Sequence, residues 1–390
     1  MRNETTKTAV PKLRFPEFKG AEGWEKKELG EICEFLNNRR KPVTGSYRTK
    51  GPYPYYGASG IVDYVNGFLF NERLLLVGED GAKWGAFEKT AFIVAGEYWV
   101  NNHAHVLQPI GINDTLLEKY LVMLDLAPFV TGAAPPKLTL GKLKGIPIPV
   151  PPTQAEQKKI AAALSSLDDL LTAQNAKLAA LQAHKRGLMQ GLFPAEGETV
   201  PKLRFPEFLD AAEWKYKNVA EIAKVTTGNK DTQNKIDKGL YPFFVRSQNV
   251  ERINSFSYDG EAILTSGDGV GVGKNFHYIN GKFDFHQRVY CIYNFTKGVY
   301  GKFVFKYFSE YFGERVQRLS AKNSVDSVRM SMITEMQICF PSFEEQQKIA
   351  DCLTSLDNRI TAQTQKIEAL KLHKKGLMQG LFPAAAEPTA

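Results

Sequence analysis

The segment EQKKIAAALSSLDDLLTAQNAKLAALQAHKRGLMQGLFPA, starting at Glu156, returns without a gap as EQQKIADCLTSLDNRITAQTQKIEALKLHKKGLMQGLFPA from Glu345, with 26 of 40 positions identical. A shorter repeat stands ahead of each copy: PKLRFPEF occurs at residues 11–18 and again at 201–208. Two matched repeats in a chain of 390 residues mark a tandem duplication, which constrains the fold more than any local propensity.

The longer repeat carries a helical period. Ile160, Leu164, Leu167, Leu171, Gln174, Leu178 and Leu181 step by alternating fours and threes, as do Ile349, Leu353, Leu356, Ile360, Gln363, Ile367 and Leu370. That is a heptad seam, continued by Leu188 and Leu192 in one copy and Leu377 and Leu381 in the other. Prolines ahead of each copy set its start, and Gly187 and Gly376 should weaken its last turns. Gln174 and Gln363 hold the same seam position, and a polar seam residue fixes register at some cost in stability. Pairing of the two helices with each other is the expectation. Pairing between molecules, and packing on neighbouring domains, are the other outcomes.

The stretches at 25–152 and 215–341 have a different texture. Short apolar runs such as RLLLVG, TAFIVAG, EAILTSG and RVYCIYNF, bounded by turn residues, read as strands; residues 116–127 and 302–319 read as helices. The expected fold class is α+β: two sheet-rich mixed α/β bodies separated by two long helices, in a pseudo-two-fold tandem repeat. The chain divides into a first body (1–152), a central helix (153–195), a second body (196–341), a C-terminal helix (342–384) and a disordered tail (385–390). The two bodies' interiors align poorly although their borders align well, as suits one scaffold that recognises two different things.

Charge sharpens this. The net charge is +8, yet residues 25–152 hold 14 basic against 13 acidic side chains, whereas residues 215–335 hold 18 against 12. The excess sits on the second body, as expected if that body touches phosphates; a basic surface serving solubility is the plainer account. No run of eighteen apolar residues and no apolar leader is present, so neither a membrane span nor a secretory signal is expected, and the cytoplasm is the default location. The cysteines Cys33, Cys291, Cys339 and Cys352 show no zinc or disulfide spacing and read as reduced thiols.

Catalytic motifs fail one by one. GDGVGVGKN at 267–275 has Asp268 where a phosphate-binding Walker loop needs glycine, and Asn275 where it needs Ser or Thr. Glu17-Phe18-Lys19 imitates the end of a nuclease motif, but the repeat puts Leu209 at the lysine position. No [DNS]PP[YFW] motif of an adenine methyltransferase occurs. No Ser-His-Asp arrangement can be argued from spacing.

Recognition chemistry is better supplied. The loops at 78–85 and 267–275 both follow short apolar strands, and their Lys83, Trp84, Lys274 and Asn275 can reach phosphates or base edges, although a structural hairpin turn explains either loop alone. His103-Ala104-His105 on a strand would put both imidazoles on one face, but no third ligand follows and zinc is not expected. His286, Gln287 and Arg288 stand in a similar place in the second body, where Gln suits adenine and Arg suits guanine or phosphate; a satisfied polar core is the alternative. Arg39 and Arg40, and Arg246, Ser247, Gln248 and Asn249, supply further donors near the start of each body, where solvated loops explain them almost as well.

With WEKKELGEI, YYGASGIVDYV, GEDGAKWG, WVNNHAHVL, IPIPVPPTQAEQKKIA and FPSFEEQQKIADCL in place, nearly the whole chain resembles the specificity subunit of type I restriction-modification systems. The resemblance implies that each body is a target recognition domain reading one half of an asymmetric bipartite site in double-stranded DNA. It implies an antiparallel helix pair acting as spacer and as docking surface for two methyltransferase subunits, with restriction subunits as further partners. The chain itself would be non-catalytic and without cofactor or metal; S-adenosylmethionine, and ATP with Mg, would belong to the partners. The DNA-facing loops would carry Tyr56, Ser59, Lys83, Trp84, Asn101, Asn102, His103 and Lys137 in the first body. In the second they would carry Arg246, Ser247, Gln248, Asn249, Lys274, Asn275, His286, Gln287, Arg288, Asn323 and Ser324. A helix of about 35 residues, about 52 Å at 1.5 Å per residue, matches about 15 base pairs. A coiled-coil scaffold whose two bodies bind proteins or other ligands is the competing reading, and it predicts no salt-sensitive DNA binding.

Overall fold

The computed structural model describes residues 8–132, 135–320 and 327–383. Asn323, Ser324 and the tail expected at 385–390 lie outside them. The chain forms two compact units, the first interrupted in sequence (residues 1–176 with 364–390) and the second continuous (residues 177–363).

In the first unit, β1 (Thr8–Ala9), β2 (Trp24–Glu28) and β10 (Pro147–Val150) form a small sheet in the order β1-β2-β10. The main sheet has the order β3-β9-β6-β7, from β3 (Cys33–Phe35), β6 (Leu74–Gly78), β7 (Ala91–Val94) and β9 (Ala104–Pro109). Every residue of β6 is buried, as expected of a short apolar strand paired on both edges. A third sheet sets β4 (Lys50–Gly57) between antiparallel β5 (Gly60–Val65) and parallel β8 (Trp99–Val100). Helix α1 (Asp114–Met123) is capped by Asn113, whose side chain accepts from Leu116 N, and buries Leu116, Leu117, Tyr120 and Leu121; α2 (Leu140–Lys144) precedes β10. The long helix α3 (Gln154–Leu192) follows.

The second unit repeats the plan with fused sheets. β11 (Lys215–Asn218) pairs with β18 (Gln337–Phe340). β12 (Lys224–Thr227), β13 (Tyr241–Phe244), β14 (Glu251–Ile253), β15 (Tyr258–Ser266), β16 (Phe276–Phe285) and β17 (Val289–Tyr293) form one six-stranded sheet in the order β12-β17-β15-β16-β13-β14. The ten-residue β16 pairs with β15 along most of its length and with β13 at its end. β7 and β8 divide these roles in the first unit, where Gly96 turns the chain between them at φ +83°. The helices are α4 (Val219–Ile222), α5 (Gly301–Leu319), α6 (Met330–Thr334) and α7 (Phe343–Leu381).

Both long helices start where the prolines direct. Thr153 Oγ1 accepts from Glu156 N at 3.2 Å, and Ser342 Oγ from Glu345 N at 3.3 Å, each in the capping manner. Neither Gly187 nor Gly376 ends its helix. Within the first unit, Ile160 and Leu164 near the start of α3 share one core with Met378 and Leu381 near the end of α7, so the segments run antiparallel. The second unit mirrors this with Met189 and Leu192 against Ile349 and Leu353. The seam thus has two fates. Its outer positions are absorbed into the cores of the bodies, while Leu356, Gln363 and Ile367 are buried and Leu167, Leu171, Gln174, Leu178, Leu181, Ile360 and Leu370 are half-buried.

Charged clusters brace helices and bodies at matched places. Asp168 of α3 meets Lys374 of α7 and, at 2.9 Å, Lys119 of α1; Asp357 of α7 meets Lys185 of α3 at 2.6 Å and Lys306 of α5 at 2.5 Å. Burial alone pushes both carboxyls up, but the hydrogen bonds from two lysines each outweigh it and hold them below the ordinary carboxylate range. A depressed carboxyl contributes stability above its unfolded value of about 4 and loses it as pH falls through the folded value. The urea midpoint is therefore expected to fall steadily below about pH 4, and to fall less steeply in Asp168→Asn and Asp357→Asn; identical slopes in all three proteins would contradict this.

The octapeptide repeat also has a structural cause. Arg14 grips Glu156 with Nε and Nη2, both at 2.7 Å, and gives two further donors to Ala21 O and Glu22 O. Arg204 does the same to Glu345, at 2.8 Å twice, and to Ala211 O and Ala212 O. Leu13 N donates to Gly380 O and Leu203 N to Gly191 O, and the Leu13 and Leu203 side chains fill the space where a Cβ on those glycines would stand. Each octapeptide therefore ties the start of one long helix to the end of the other within its unit.

Candidate nucleic-acid interface

In the first body three segments distant in sequence meet beyond the end of β6. Glu79 N donates to His103 O and Leu138 N to Glu79 O, both at 2.8 Å, and Asp80 bridges to Lys137. This joins the glycine loop, the turn between β8 and β9, and the turn before α2. Charges then interlock: Arg40 donates to Glu79 at 2.6 Å, Lys137 Nζ lies 2.9 Å from Glu79, and His103 Nδ1 contacts Asp80. Burial pushes the Glu79 carboxyl up, but hydrogen bonds from Arg40 and Lys137 win and hold it below the usual range.

The two histidines part company, contrary to the expectation of a shared strand face. His103 lies in the turn and is half exposed, whereas His105 on β9 is fully buried. His105 Nε2 stands 2.7 Å from Leu138 O and its Nδ1 2.9 Å from Asn37 Nδ2, which requires the neutral Nε2–H tautomer; burial lowers its pKa. Among the described residues no cluster of three metal-ligating side chains occurs.

The second body builds the same frame from different residues. Gly267 N donates to Arg288 O at 2.8 Å, Val328 N to Gly267 O at 2.7 Å, and Asp268 bridges to Ser327. Asn101 N bonds Tyr56 O in the first body, and His286 N bonds Phe244 O in the second. The Asn101 side chain accepts from His103 N at 2.8 Å, and His286 Nδ1 accepts from Arg288 N at 2.9 Å. Asn101-Asn102-His103 and His286-Gln287-Arg288 are therefore equivalent turns, an equivalence of backbone bonds that side-chain comparison conceals.

Not every expected residue faces outward. Asn101 and His286 are buried and shape their turns; burial, then Arg246, lowers the His286 pKa. Arg40 is largely enclosed by Glu79, Asn102 O and Ala104 O. Arg39 is exposed, but it lies over Phe70 and pairs with Glu72 at 2.9 Å. Tyr56 packs on Phe92 and Tyr98, Trp84 donates to Gly78 O beside the core, and Asn275 is held by Arg246 O and Ser266 Oγ. Ser247 Oγ accepts from Asn249 N. Ser59, Lys83, Asn102 and His103 in the first body, and Arg246, Gln248, Asn249, Lys274, Gln287 and Arg288 in the second, are exposed; Lys137 is half-buried. Asp80, Asp231 and Asp268, missed in the sequence, hold the exposed donors: Asp268 lies 2.9 Å from Arg246 Nη1 and 3.8 Å from Arg288 Nε, and Asp231 accepts from Gln287 at 3.1 Å. The Gly-Asp-Gly spelling at 267–269 and the near match Glu-Asp-Gly at 79–81 signalled Asp268 and Asp80, and no spelling signalled Asp231.

A duplicated α+β chain with one frame and two different exposed turns is a tandem recognition protein. The family model for the type I restriction modification DNA specificity domain matches twice, at residues 21–183 and 211–372, and the chain belongs to that family. A type I restriction enzyme specificity subunit of Methanocaldococcus jannaschii is 24% identical over 95% of this chain and 93% of its own length. A Haemophilus influenzae protein named as a type I specificity subunit is 42% identical over 37% of this chain and 38% of its own. The crystal structure of a type I S subunit from M. genitalium shares the fold, with a TM-score of 0.72 over 97% of this chain and all of that one at 14% identity. The chain is thus a type I DNA specificity subunit, and a scaffold unrelated to DNA is not favoured. No helix among the described residues is long and apolar enough to cross a membrane.

Proposed function

We propose that each body reads one half of an asymmetric bipartite DNA site and that the long helices serve as spacer and docking surface for two methyltransferase subunits, with restriction subunits completing the assembly. The reactions, and with them S-adenosylmethionine, ATP and Mg, belong to those partners, and the complex works in the cytoplasm. A neighbour of similar fold, with a TM-score of 0.52, comes from a study of complex assembly and conformational transition of the type I system, which supports partnership of this kind. The single observation that carries the asymmetric reading is the equivalence of the two turns: one frame displays Asn102 and His103 in one body and Gln287 and Arg288 in the other. Different donor sets in one geometry select different base edges.

The test is to replace residues 25–152 by the corresponding body of another family member, express the chain with its methyltransferase, and map methylated adenines. One half of the methylated motif should change and the other persist. Change in both halves, or a motif that ignores the exchange, would defeat the modular reading.

A further inference from the structure

His103 and Arg288 occupy the same place in the two bodies. The carbonyl of each accepts from the loop beyond the central strand, its N–H donates to the side chain two residues earlier, and it lies beside an aspartate, Asp80 or Asp268. Both side chains are exposed, His103 by 51% and Arg288 by 66%, although their backbones are tied down. We propose that this is the principal base-reading position of each body, and that Arg288, oriented by Asp268, takes a guanine of the second half-site through its O6 and N7 atoms. The inference rests on the DNA-reading function above and extends it to named residues and a named base.

Three physical points support guanine over phosphate. Asp268 faces the Nε edge of Arg288, and among the described residues the two terminal nitrogens donate no competing bond, which leaves the donor pair that fits O6 and N7 together. Asp268 also binds Arg246 at 2.9 Å, so one carboxylate is shared by two guanidinium groups. That carboxylate weakens attraction to a backbone phosphate but leaves the directional donors intact, an arrangement that favours discrimination over raw affinity. Gln287 beside it is engaged by Asp231, so the turn's exposed donors are not shared evenly between the two side chains. In the first body His103 has turned Nδ1 to Asp80, and a single remaining ring nitrogen cannot make the two-point contact. The first half-site is accordingly read by a different rule.

The experiment expresses full-length variants with the methyltransferase subunit and maps methylated adenines. Arg288→Ala should relax one G·C pair of the second half-site by about 5- to 150-fold in preference, with the first half unchanged, and Arg288→Gln should shift that position toward adenine. His103→Arg should bring a new guanine preference into the first half-site alone. Asp268→Asn tests positioning: preference at the same pair should drop while binding to DNA lacking the site holds or tightens, and Asp268→Glu should restore part of the preference. Thermal unfolding of the Arg288 and His103 variants should match the parent because both side chains are exposed. Uniform loss of methylation with an unaltered motif would make Arg288 a phosphate contact and overturn the proposal, as would an altered first half-site in Arg288→Ala. Absence of any motif in the parent protein would instead count against the DNA-reading function itself.

Discussion

Arg14→Ala is expected to destabilise the first unit by about 3–5 kcal/mol, because it strands the carboxylate of Glu156 in a buried site. The Arg14 side chain is 8% exposed and that of Glu156 1%, so water cannot take over the lost bonds. The guanidinium also holds Ala21 O and Glu22 O, and removing it frees the strand entry as well as the start of α3. For a unit of this size the loss corresponds to a fall in Tm of about 6–20 °C. Lysine should rescue little, since one ammonium cannot reproduce the planar fork. Arg14→Met with Glu156→Gln should recover much of the loss: no charge is left unpaired, and the amide oxygen can still accept from Trp24 Nε1, which now donates to Glu156 at 3.2 Å. Calorimetry of the three variants decides it. A single substitution costing under about 1 kcal/mol would show that the pair behaves as a solvated surface bridge.

The second large effect is expected at the phenylalanine that closes each long helix. Phe193 and Phe382 follow the last turns of α3 and α7 and are 1% and 2% exposed. Phe193 sits edge-on to Trp214 and Tyr307 and tilted against Phe303; Phe382 sits edge-on to Trp24 and Tyr120. Phe382→Ala should cost about 3–5 kcal/mol, combining lost burial with the cavity left behind. Phe193→Ala should cost at least as much, because Tyr311 adds a fourth aromatic wall to its site. Urea unfolding of the two variants measures this directly. Values near zero would mean that the GLFP ending merely frays into solvent and that the repeat exists for another reason.

Both predictions show where sequence reading stops. The repeats PKLRFPEF and GLFP were visible as spelling, but their partners were not: Arg14 and Glu156 stand 142 positions apart. The heptad seam was legible because a period of seven survives in one dimension. The partner of each seam residue was not, and the outer positions Ile160, Leu164, Ile349 and Leu353 turn out to serve the cores of the bodies. Among the candidate contacts, residue type suggested Asn101 and His286 as readers, but each folds inward to hold the N–H two residues later. The reverse holds for Asp80 and Asp268, which residue type does not mark as readers and which stand beside the exposed His103 and Arg288.

The sequence by itself determined the duplication, the two long helices, the sheet-rich character of both bodies and the family to which they point, because each of these is written in local period or in repeated spelling. Only the tertiary structure decided that two unlike turns hang on one frame and which side chains that frame exposes. Such a frame is made of backbone hydrogen bonds between distant segments, and a backbone bond places little demand on the side chains at either end.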